Sequence, residues 1–425
     1  MKKKFLLLFT DYYPYEKWEP YLQPEMEFLY LAFEHIFIFS NYQGNKNVAY
    51  TLPQNAEAFY LSPKITFIQK AYGLRLVFSK IFRDEFFRIR NHYQIGISYS
   101  IIKIALQSLL TAMQYKRLIE QFLMQRNLNC KNTIAYAYWT DDRALAAAML
   151  SREGKIISIS RAHGWDVYFE RHATQYLPFR KFLSQHLSNI FFVSENGRKY
   201  FLDKAGSDAE KKLRLSRLGI EAQKGNPPDN EPSFIIVSCA RLIPLKRPHL
   251  VADILRHVHG LPVKWIHFGT GKIEVDFLKY VRDRLGDNEN IVFDFRGDVS
   301  HDDLMKFYAE QHVDLFMLTS EYEGMPFVII EALSFGIPVM ATDAGGIAEV
   351  INSENGFLLE KNFQSSEAAD LLLRFLALSD IEKSRYRLNA LATWDRMFNA
   401  EKNFPEFIST ILNLNIMKTP LGLNG

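Results

Sequence analysis

Several features that mark common protein classes are scarce in this sequence. Its 425 residues include two cysteines, Cys130 and Cys239, and neither has a histidine or a second cysteine beside it. This pattern disfavours a disulfide framework or a zinc site and indicates reduced thiols. The most apolar long stretch, Ser100 to Met113, is interrupted by Lys103 and Gln107 and falls short of the ~18 apolar residues of a membrane span. With 51 basic and 48 acidic residues the net charge is only +3, which excludes a strongly basic nucleic-acid binder.

The amino terminus lacks the apolar core of a signal peptide. Lysines follow Met1, but the apolar run Phe5 to Phe9 is short and is followed closely by Asp11. A secretory signal needs about 7–15 apolar residues, so we interpret this run as a first β-strand. The sequence therefore predicts a cytoplasmic protein, with a peripheral position at the inner face of the cell membrane as the alternative.

Motifs of several enzyme classes are also absent. There is no Gly-x-Gly-x-x-Gly fingerprint, no Walker loop, no His-Glu-x-x-His and no Gly-x-Ser-x-Gly. Dinucleotide oxidoreductases, P-loop NTPases, zinc proteases of this type and α/β-hydrolases are therefore not indicated.

Strand-length apolar runs alternate with amphipathic helical segments, which is typical of parallel sheets flanked by helices. We predict an α/β protein with two Rossmann-like doubly wound domains, residues 1–220 and 234–380. A linker rich in proline and glycine lies at 221–233, and helices at 381–425 are expected to cross back to the first domain. Ligands of such domains bind at the carboxyl ends of the strands, so the domains should face a common cleft. The predicted strands are Phe5–Phe9, His35–Phe39, Thr133–Ala137, Ile156–Ser160 and Ile190–Val193, then Phe234–Cys239, Val263–Phe268, Ile291–Phe295, Leu315–Leu318, Pro338–Ala341 and Gly356–Leu359.

The most informative segment is residues 319–346, which begins where a predicted strand ends. A turn containing Gly324 leads to Pro326, and proline is favoured in the first turn of a helix. The helix is predicted to run to about Phe335 and to stop at Gly336. The N–H groups and partial positive charge at its start suit a phosphate.

Two glutamates frame this helix start. Glu323 precedes the helix and Glu331 lies within it. Carboxylates placed in this way accept hydrogen bonds from hydroxyls at two ends of an extended polyol. Either glutamate alone is also consistent with a solvated surface residue, but together with the Gly-Met-Pro turn, Gly345 and Gly346 they form a more specific pattern.

Glu323 and Glu331, with the Glu-Gly-Met-Pro turn and the run Glu-Ala-Leu-Ser-Phe-Gly-Ile-Pro-Val, resemble the motif of family 4 of the retaining glycosyltransferases, which have the GT-B fold. Upstream, Arg241 and Lys246 resemble the Arg and Lys pair of that family. The resemblance extends over the second domain, about Phe234 to Leu359.

The resemblance implies that the second domain binds a nucleoside diphosphate sugar. Arg241 and Lys246 would neutralise the diphosphate, whose negative charge grows during transfer. Glu323 would hold hydroxyls of the donor sugar, and Glu331 would hold the ribose hydroxyls. The implied donor-binding residues are Arg241, Lys246, Gly269, Gly271, Arg296, Gly297, Glu323, Gly324, Met325, Pro326, Phe327 and Glu331.

The acceptor side is expected in the first domain. The loop from His163 to Asp166 follows a predicted strand and resembles the His-Gly-x-Asp loop of some bacterial polysaccharide glycosyltransferases of the same family. His163 would contact the donor sugar or the acceptor, although a single histidine is more often structural. Asp166 is a candidate for positioning the acceptor. The implied catalytic residues are Glu323, His163, Arg241 and Lys246.

The loop after the first strand departs from the family pattern. Residues 10–21 contain no glycine, whereas many members have a Gly-Gly pair near the diphosphate. The loop resembles the Tyr-Pro-x-x-x-x-Glu loop of a subset of capsule and cell-wall members, which makes Trp18 and Glu19 acceptor-side candidates. Trp18 stands where a small residue is expected, either as a stacking platform for a sugar or as a plug.

The resemblance implies a retaining hexosyltransferase that acts by front-face displacement. Its acceptor would be a glycan or a lipid-linked glycan in bacterial capsule, lipopolysaccharide or cell-wall synthesis. No two aspartates are separated by one residue, so the Asp-x-Asp metal site of GT-A glycosyltransferases is absent. We predict no metal and no cofactor, with the sugar nucleotide as co-substrate and no nucleic-acid partner. A GT-B-fold nucleotide-sugar epimerase and a non-catalytic nucleotide-sugar-binding subunit remain alternatives.

A long helical region is predicted from about Lys64 to Met124. Its first part, residues 64–103, contains eight basic and two acidic residues interleaved with aromatics. This composition suits an anionic membrane surface, or an ordinary helix whose aromatics lie in the core. Residues 1–216 contain 30 basic and 19 acidic residues, a net charge of +11, and the remainder contains 21 and 29, a net charge of −8. The first domain is therefore the one expected to meet an anionic or lipid-linked acceptor.

Overall fold

The structure, a computed structural model, describes residues 5–44, 48–63, 73–227 and 232–415. These residues divide into two compact units. The first unit comprises the described residues up to Arg217 together with those from Phe404 onward, and the second comprises Leu218 to Asn403.

The first unit is built on a parallel sheet. Its strands, within the described ranges, are β1 (Phe5–Thr10), β2 (His35–Ser40), β3 (Ala56–Tyr60), β4 (Thr133–Ala137), β5 (Ile157–Ala162), β6 (Asn189–Phe192) and β7 (Leu213–Leu215). They pair in the order β3-β2-β1-β4-β5-β6-β7. Parallel neighbours require crossover connections, which explains the alternation of strands and helices in the sequence.

Helices cover both faces of this sheet because its apolar strands present side chains to both. They are α1 (Gln23–Ala32), α2 (Lys80–Asn91), α3 (Tyr99–Gln125), α4 (Asp142–Arg152), α5 (Arg180–His186) and α6 (Glu195–Ala205). Leu7 and Phe9 of β1 pack in one core cluster, and Leu6 and Leu8 pack in the cluster on the opposite face.

The helical region predicted from Lys64 to Met124 is not continuous. Residues 64–72 lie outside the described residues, and α2 and α3 are separated by residues 92–98. Gln94 in this connection has a φ of 56°, a left-handed conformation that no helix contains. Ser98 then starts α3, since its side chain accepts a hydrogen bond from the N–H of Ile101 at 3.3 Å.

The second unit repeats the same architecture. Its described strands are β8 (Phe234–Cys239), β9 (Val263–Phe268), β10 (Ile291–Gly297), β11 (Leu315–Leu318), β12 (Val339–Thr342) and β13 (Gly356–Leu359). They are parallel, in the order β10-β9-β8-β11-β12-β13. The helices are α7 (His249–Leu255), α8 (Glu274–Leu285), α9 (His301–Glu310), α10 (Phe327–Ser334), α11 (Ser365–Leu376) and α12 (Asp380–Phe398).

Of the helices predicted at 381–425 to cross back, α12 belongs to the second unit, and the chain returns to the first unit only in the last helix that the structure describes. This helix is α13 (Ala400–Leu412). Phe407 lies with its ring centroid 5.5 Å from that of Tyr136 and 4.9 Å from that of Phe191, so α13 completes the core on one face of the first sheet. Within the described ranges, no helix is both long enough and apolar enough to cross a bilayer.

Candidate active site

Loops at the carboxyl end of the second sheet are bonded to one another through their backbones. The N–H of Gly269, after β9, donates to the carbonyl of Gly297 at the end of β10, at 2.7 Å. The N–H of Leu242, after β8, donates to the carbonyl of Thr270 at 2.9 Å. The predicted donor-side loops therefore form one rigid layer at the edge where open α/β sheets bind ligands.

Two of the predicted glycines are required by this close approach. A Cβ on Gly269 would lie 2.1 Å from the carbonyl oxygen of Ala240, and one on Gly271 would lie 2.4 Å from that of Leu242. Gly269 also has a φ of +124°, which side chains disfavour. These glycines let the loops pack backbone against backbone.

Lys246 and Glu323 are brought together at the same edge. The Nζ of Lys246 lies 2.5 Å from Oε1 of Glu323, and the two side chains are 19% and 6% exposed. The neighbouring Arg247 fixes the loops on which they lie, because its guanidinium donates to the carbonyl of Thr319 at 2.9 Å. The structure thus places a cation and a carboxylate, both largely shielded from water, just before α10.

The turn into α10 differs from the prediction only in that Pro326 is the N-cap residue and does not lie in the first helical turn. Pro326 immediately precedes the helix, and Gly336 follows it with a φ of +70°. The N–H of Gly346 donates to the carbonyl of Gly324 at 2.9 Å, which fixes the turn, and Met325 is buried. The first N–H groups of α10, which have no carbonyl partner within the helix, therefore lie next to a turn whose backbone is fixed.

Glu331, within α10, has an incompletely satisfied carboxylate. It is 3% exposed, and its Oε1 lies 3.0 Å from Nε2 of His301. Its Oε2 is buried and has no hydrogen-bond partner among the described residues. A buried carboxylate oxygen in this state is poised to accept a hydrogen bond from a ligand hydroxyl.

His301 was missed by sequence reasoning. It begins α9, four residues after Gly297 of a predicted donor-side loop, and its ring lies 6.2 Å from that of Phe327, centroid to centroid. The position of a histidine just beyond this loop was the only signal in the sequence, since its contact with α10 is long-range.

The two predicted arginines are placed differently from Lys246. Arg241 is exposed on the loop that follows β8. Arg296 lies in β10, where its Nη2 is 2.8 Å from Oδ2 of Asp294, and it lines a groove that also includes Lys264 and Lys306. The side chain of Arg296 is thus engaged at the sheet edge rather than with Glu323.

His163 of the first unit follows β5 and is surrounded by aromatic rings. Its centroid lies 4.5 Å from that of Trp139, 4.8 Å from that of Tyr138 and 6.0 Å from that of Tyr21. Burial, with Arg161 as a second cause, holds the pKa of His163 well below its usual range. Both ring nitrogens are buried without a hydrogen-bond partner in the described part of the chain, as is the hydroxyl of Tyr138.

Asp166 is used by the protein itself. Its Oδ1 accepts from the N–H groups of His163 and Gly164 at 2.8 and 3.1 Å, and its Oδ2 accepts from the N–H of Thr140 at 2.8 Å. Burial raises the pKa of this carboxyl. Asp166 therefore organises the loop that carries His163 and does not offer an open carboxylate to an acceptor.

Glu19 has the same kind of role in the loop after β1. It is 1% exposed and accepts from the N–H groups of Tyr12 and Tyr13 at 2.7 and 2.8 Å, and from Nε1 of Trp139 at 2.7 Å. Trp18, by contrast, is 59% exposed. The ring of Trp18 is therefore not part of the core of the first unit.

Across the described residues, no three side chains among His, Cys, Asp and Glu are grouped closely enough to hold a metal ion. The two cysteines, Cys130 and Cys239, are not joined to each other.

The family described as "Glycosyl transferases group 1" matches residues 219–392. The O-antigen biosynthesis glycosyltransferase WbnH of Escherichia coli is 28% identical over 201 residues, which are 47% of this chain and 55% of that protein. The putative colanic acid biosynthesis glycosyltransferase WcaL of Escherichia coli K12 is 27% identical over 243 residues, 54% of this chain and 56% of that protein. The matches thus span about half the length of these curated relatives.

Solved structures match almost the whole chain. Anabaena HepE in complex with UDP superposes with a TM-score of 0.66 at 17% identity, covering 97% of this chain and 100% of that one. The sucrose-phosphate synthase of Thermosynechococcus elongatus gives a TM-score of 0.68 at 15% identity, covering 96% and 98%. These likenesses confirm the predicted fold. The chain therefore has the GT-B fold, and residues 219–392, within its second unit, match the glycosyl transferases group 1 family.

Proposed function

We propose that the protein is a retaining glycosyltransferase that moves a hexosyl group from a nucleoside diphosphate sugar to a glycan or lipid-linked glycan. The observation that carries this proposal is the arrangement in the second unit. Lys246 and Glu323 pair at 2.5 Å beside the start of α10, and Glu331 in the same helix has a buried oxygen without a partner.

In this proposal the donor extends from Glu331, at its ribose, to Glu323, at its sugar. The partnerless Oε2 of Glu331 accepts a ribose hydroxyl, and the N–H groups at the start of α10 with Lys246 bind the diphosphate. Glu323, released from Lys246 by the phosphate, accepts hydroxyls of the sugar. Structural neighbours are complexes with UDP and with UDP-glucose, which supports a nucleoside diphosphate sugar as the donor.

The proposed chemistry is displacement on the face that the leaving group occupies. The bond from the anomeric carbon to the diphosphate breaks, the acceptor oxygen bonds to that carbon, and the acceptor proton passes to the departing phosphate oxygen. Lys246 stabilises the charge that develops on the diphosphate. The sequence contains no Asp-x-Asp, and metal-independent transfer is part of the proposal.

The acceptor class is inferred from the relatives and from the first unit. The matched proteins are named for O-antigen and colanic acid biosynthesis, and we infer a bacterial surface polysaccharide for this chain. His163 is the acceptor-side candidate, because its partnerless ring nitrogens suit sugar hydroxyls.

The test is a transfer reaction with a panel of nucleoside diphosphate sugars and alkyl glycosides, followed by release of the nucleoside diphosphate. Proton NMR of the product then reports the anomeric configuration. Lys246→Ala and Glu323→Ala should each lower the rate of release by about 100-fold or more, and Lys279→Ala, an exposed lysine on α8, should match the wild type.

Each other outcome contradicts a stated part of the proposal. An epimerised sugar nucleotide without an acceptor would identify an epimerase. Binding of the sugar nucleotide with no turnover would identify a non-catalytic subunit. An inverted anomer would refute retention, and loss of activity in chelator that a divalent cation restores would refute metal independence.

We also propose that α2 meets an anionic membrane surface. Lys80, Arg83, Phe87 and Arg90 recur every three or four residues on its exposed side, and Phe87 is 67% exposed. Phe78, just before the helix, is 79% exposed. The three cations have no ion-pair partner in the described parts of the chain, and each contributes about 1 kcal/mol at an anionic surface.

Vesicle sedimentation tests this surface. The protein should sediment with phosphatidylcholine vesicles that contain phosphatidylglycerol and not with phosphatidylcholine alone, and Phe78→Ser with Phe87→Ser should abolish binding. Leu31→Ser, which replaces another exposed apolar residue, on α1, is the matched control. Equal sedimentation with and without the anionic lipid would refute the proposal.

A further inference from the structure

The loop after β1 presents aromatic rings on a fixed backbone. Trp18 is 59% exposed and Tyr12 is 41% exposed, and their ring centroids are 6.4 Å apart. Large rings exposed together are unusual on a protein surface unless they meet a ligand. We call Tyr12 and Trp18 the aromatic pair.

Glu19 makes this loop rigid. Besides its bonds to the N–H groups of Tyr12 and Tyr13 at 2.7 and 2.8 Å, its buried carboxylate accepts from the N–H of Asp11 at 3.3 Å. Since the loop is held before any ligand arrives, the rings lose little conformational freedom on binding. This arrangement is that of a preorganised binding surface.

The loop that carries the aromatic pair is bonded through Glu19 to the group of side chains around His163. Glu19, the residue after Trp18, accepts from Nε1 of Trp139 at 2.7 Å. The ring of Trp139 in turn lies 4.5 Å from that of His163, centroid to centroid. Trp139 therefore links the exposed rings to the buried polar atoms of His163 and Tyr138 that have no partner among the described residues.

These two chemistries match the two surfaces of a sugar chain. The C–H face of a pyranose is apolar and slightly positive, so it stacks on the negative face of an aromatic ring. Its hydroxyls need hydrogen-bond partners, which the ring nitrogens of His163 and the hydroxyl of Tyr138 supply. One sugar ring stacks on one aromatic ring, so a ligand that contacts His163 as well as both rings of the aromatic pair contains more than one sugar.

We propose that the acceptor is an oligosaccharide whose terminal sugar lies at His163 and whose preceding sugars stack on Tyr12 and Trp18. This inference rests on the proposed function and adds the length of the acceptor and the residues that select it. Glu19 is then a positioning residue, acting through the loop that it holds.

The experiment titrates methyl glycosides of one, two and three linked hexoses into the full chain and follows binding by calorimetry. Wild-type affinity should rise with length, and Trp18→Ala should lower the affinity for the trisaccharide by several-fold to about tenfold, the worth of one aromatic contact. Trp18→Phe should keep most of the increase in affinity from the one-sugar to the three-sugar glycoside. Tyr99→Ala, which removes an 80% exposed ring outside the aromatic pair, should keep all of it.

Two results would overturn the inference. One is an affinity of the wild type that does not increase with the number of sugars, and the other is an increase in Trp18→Ala as large as that in the wild type. The ratio of affinities for long and short glycosides is a readout that a general loss of folding would not change selectively. Turnover of the sugar nucleotide is measured in the same preparations. Length-dependent binding without turnover would overturn the proposed function alone, and turnover with no dependence on length would overturn this inference alone.

Discussion

Glu331→Gln separates a donor-binding role for this residue from a structural one. The carboxylate is 3% exposed, and one of its oxygens has no hydrogen-bond partner among the described residues. The amide has nearly the same size and keeps one acceptor, but it has no charge and cannot accept hydrogen bonds at both positions. The substitution therefore removes the acceptor proposed for the ribose, and the remaining amide oxygen keeps the position that faces Nε2 of His301.

The expected magnitude follows from the kind of bond that is lost. A hydrogen bond to a charged group contributes about 1.5–3 kcal/mol, so the dissociation constant for a nucleoside diphosphate should rise about 10- to 150-fold. The free energy of unfolding should stay the same or rise, because a buried carboxylate oxygen without a hydrogen bond costs stability. Weaker binding together with undiminished stability distinguishes a ligand contact from a structural residue.

Calorimetry with ribose and 2′-deoxyribose forms of the bound nucleoside diphosphate completes the test. If Glu331 accepts from the ribose 2′-hydroxyl, wild type should bind the 2′-deoxy form more weakly than the ribose form, whereas Glu331→Gln should bind the two forms almost equally. The effects of the substitution and of the missing hydroxyl are then not additive. Glu360→Gln, an exposed glutamate, is the matched control. The 3′-deoxy form tests the other ribose hydroxyl in the same way. The role assigned to Glu331 would be refuted if the substitution and the missing hydroxyl had additive effects for both deoxy forms, or if Glu331→Gln bound the nucleoside diphosphate as tightly as wild type.

Three further predictions concern charge and stability. Lys246→Ala should lower kcat about 100- to 1,000-fold without lowering the melting temperature by more than a few degrees, and kcat within tenfold of wild type would contradict its role at the diphosphate. Burial lowers the pKa of His267 to about 4, so below about pH 6.5 the unfolded chain binds a proton that the folded chain does not, and the free energy of unfolding should fall as pH is lowered. In urea unfolding at several pH values, the free energy of unfolding of His267→Gln should fall less steeply with decreasing pH than that of the wild type, by up to about 1.4 kcal/mol per pH unit. The same pH dependence in both proteins would refute this. Arg161→Met should destabilise the first unit by about 3–5 kcal/mol, because it leaves Glu25, 3.0 Å away and equally buried, without its cation; a loss below 1 kcal/mol in urea unfolding would contradict this.

Much of the second sheet follows from local sequence. Phe234–Cys239, Val263–Phe268, Leu315–Leu318 and Gly356–Leu359 were predicted with the bounds that the structure has, because buried parallel strands are short continuous apolar runs. The edge strand β3 was missed, since every residue in it is only half-buried and its sequence has no such run.

The candidate site was predictable in its residues and less so in its contacts. The motif predicted Glu323 just before a helix and Glu331 within it. The structure has this helix, α10, at the predicted position. The pairing of Lys246 with Glu323 joins residues 77 positions apart, and the contact of His301 with Glu331 is also long-range, so neither follows from local pattern. Burial of a carboxylate among backbone N–H groups, as for Glu19, depends on loop geometry that residue types do not specify.

The proposed function requires the second unit to hold a nucleoside diphosphate sugar between Lys246 and Glu331. A crystal structure of the protein with the nucleoside diphosphate that binds best tests it most directly. We expect the ribose hydroxyls at hydrogen-bond distance from Oε2 of Glu331, and a phosphate oxygen in place of Glu323 beside Nζ of Lys246. A nucleotide bound elsewhere, with the pair of Lys246 and Glu323 intact, would contradict it.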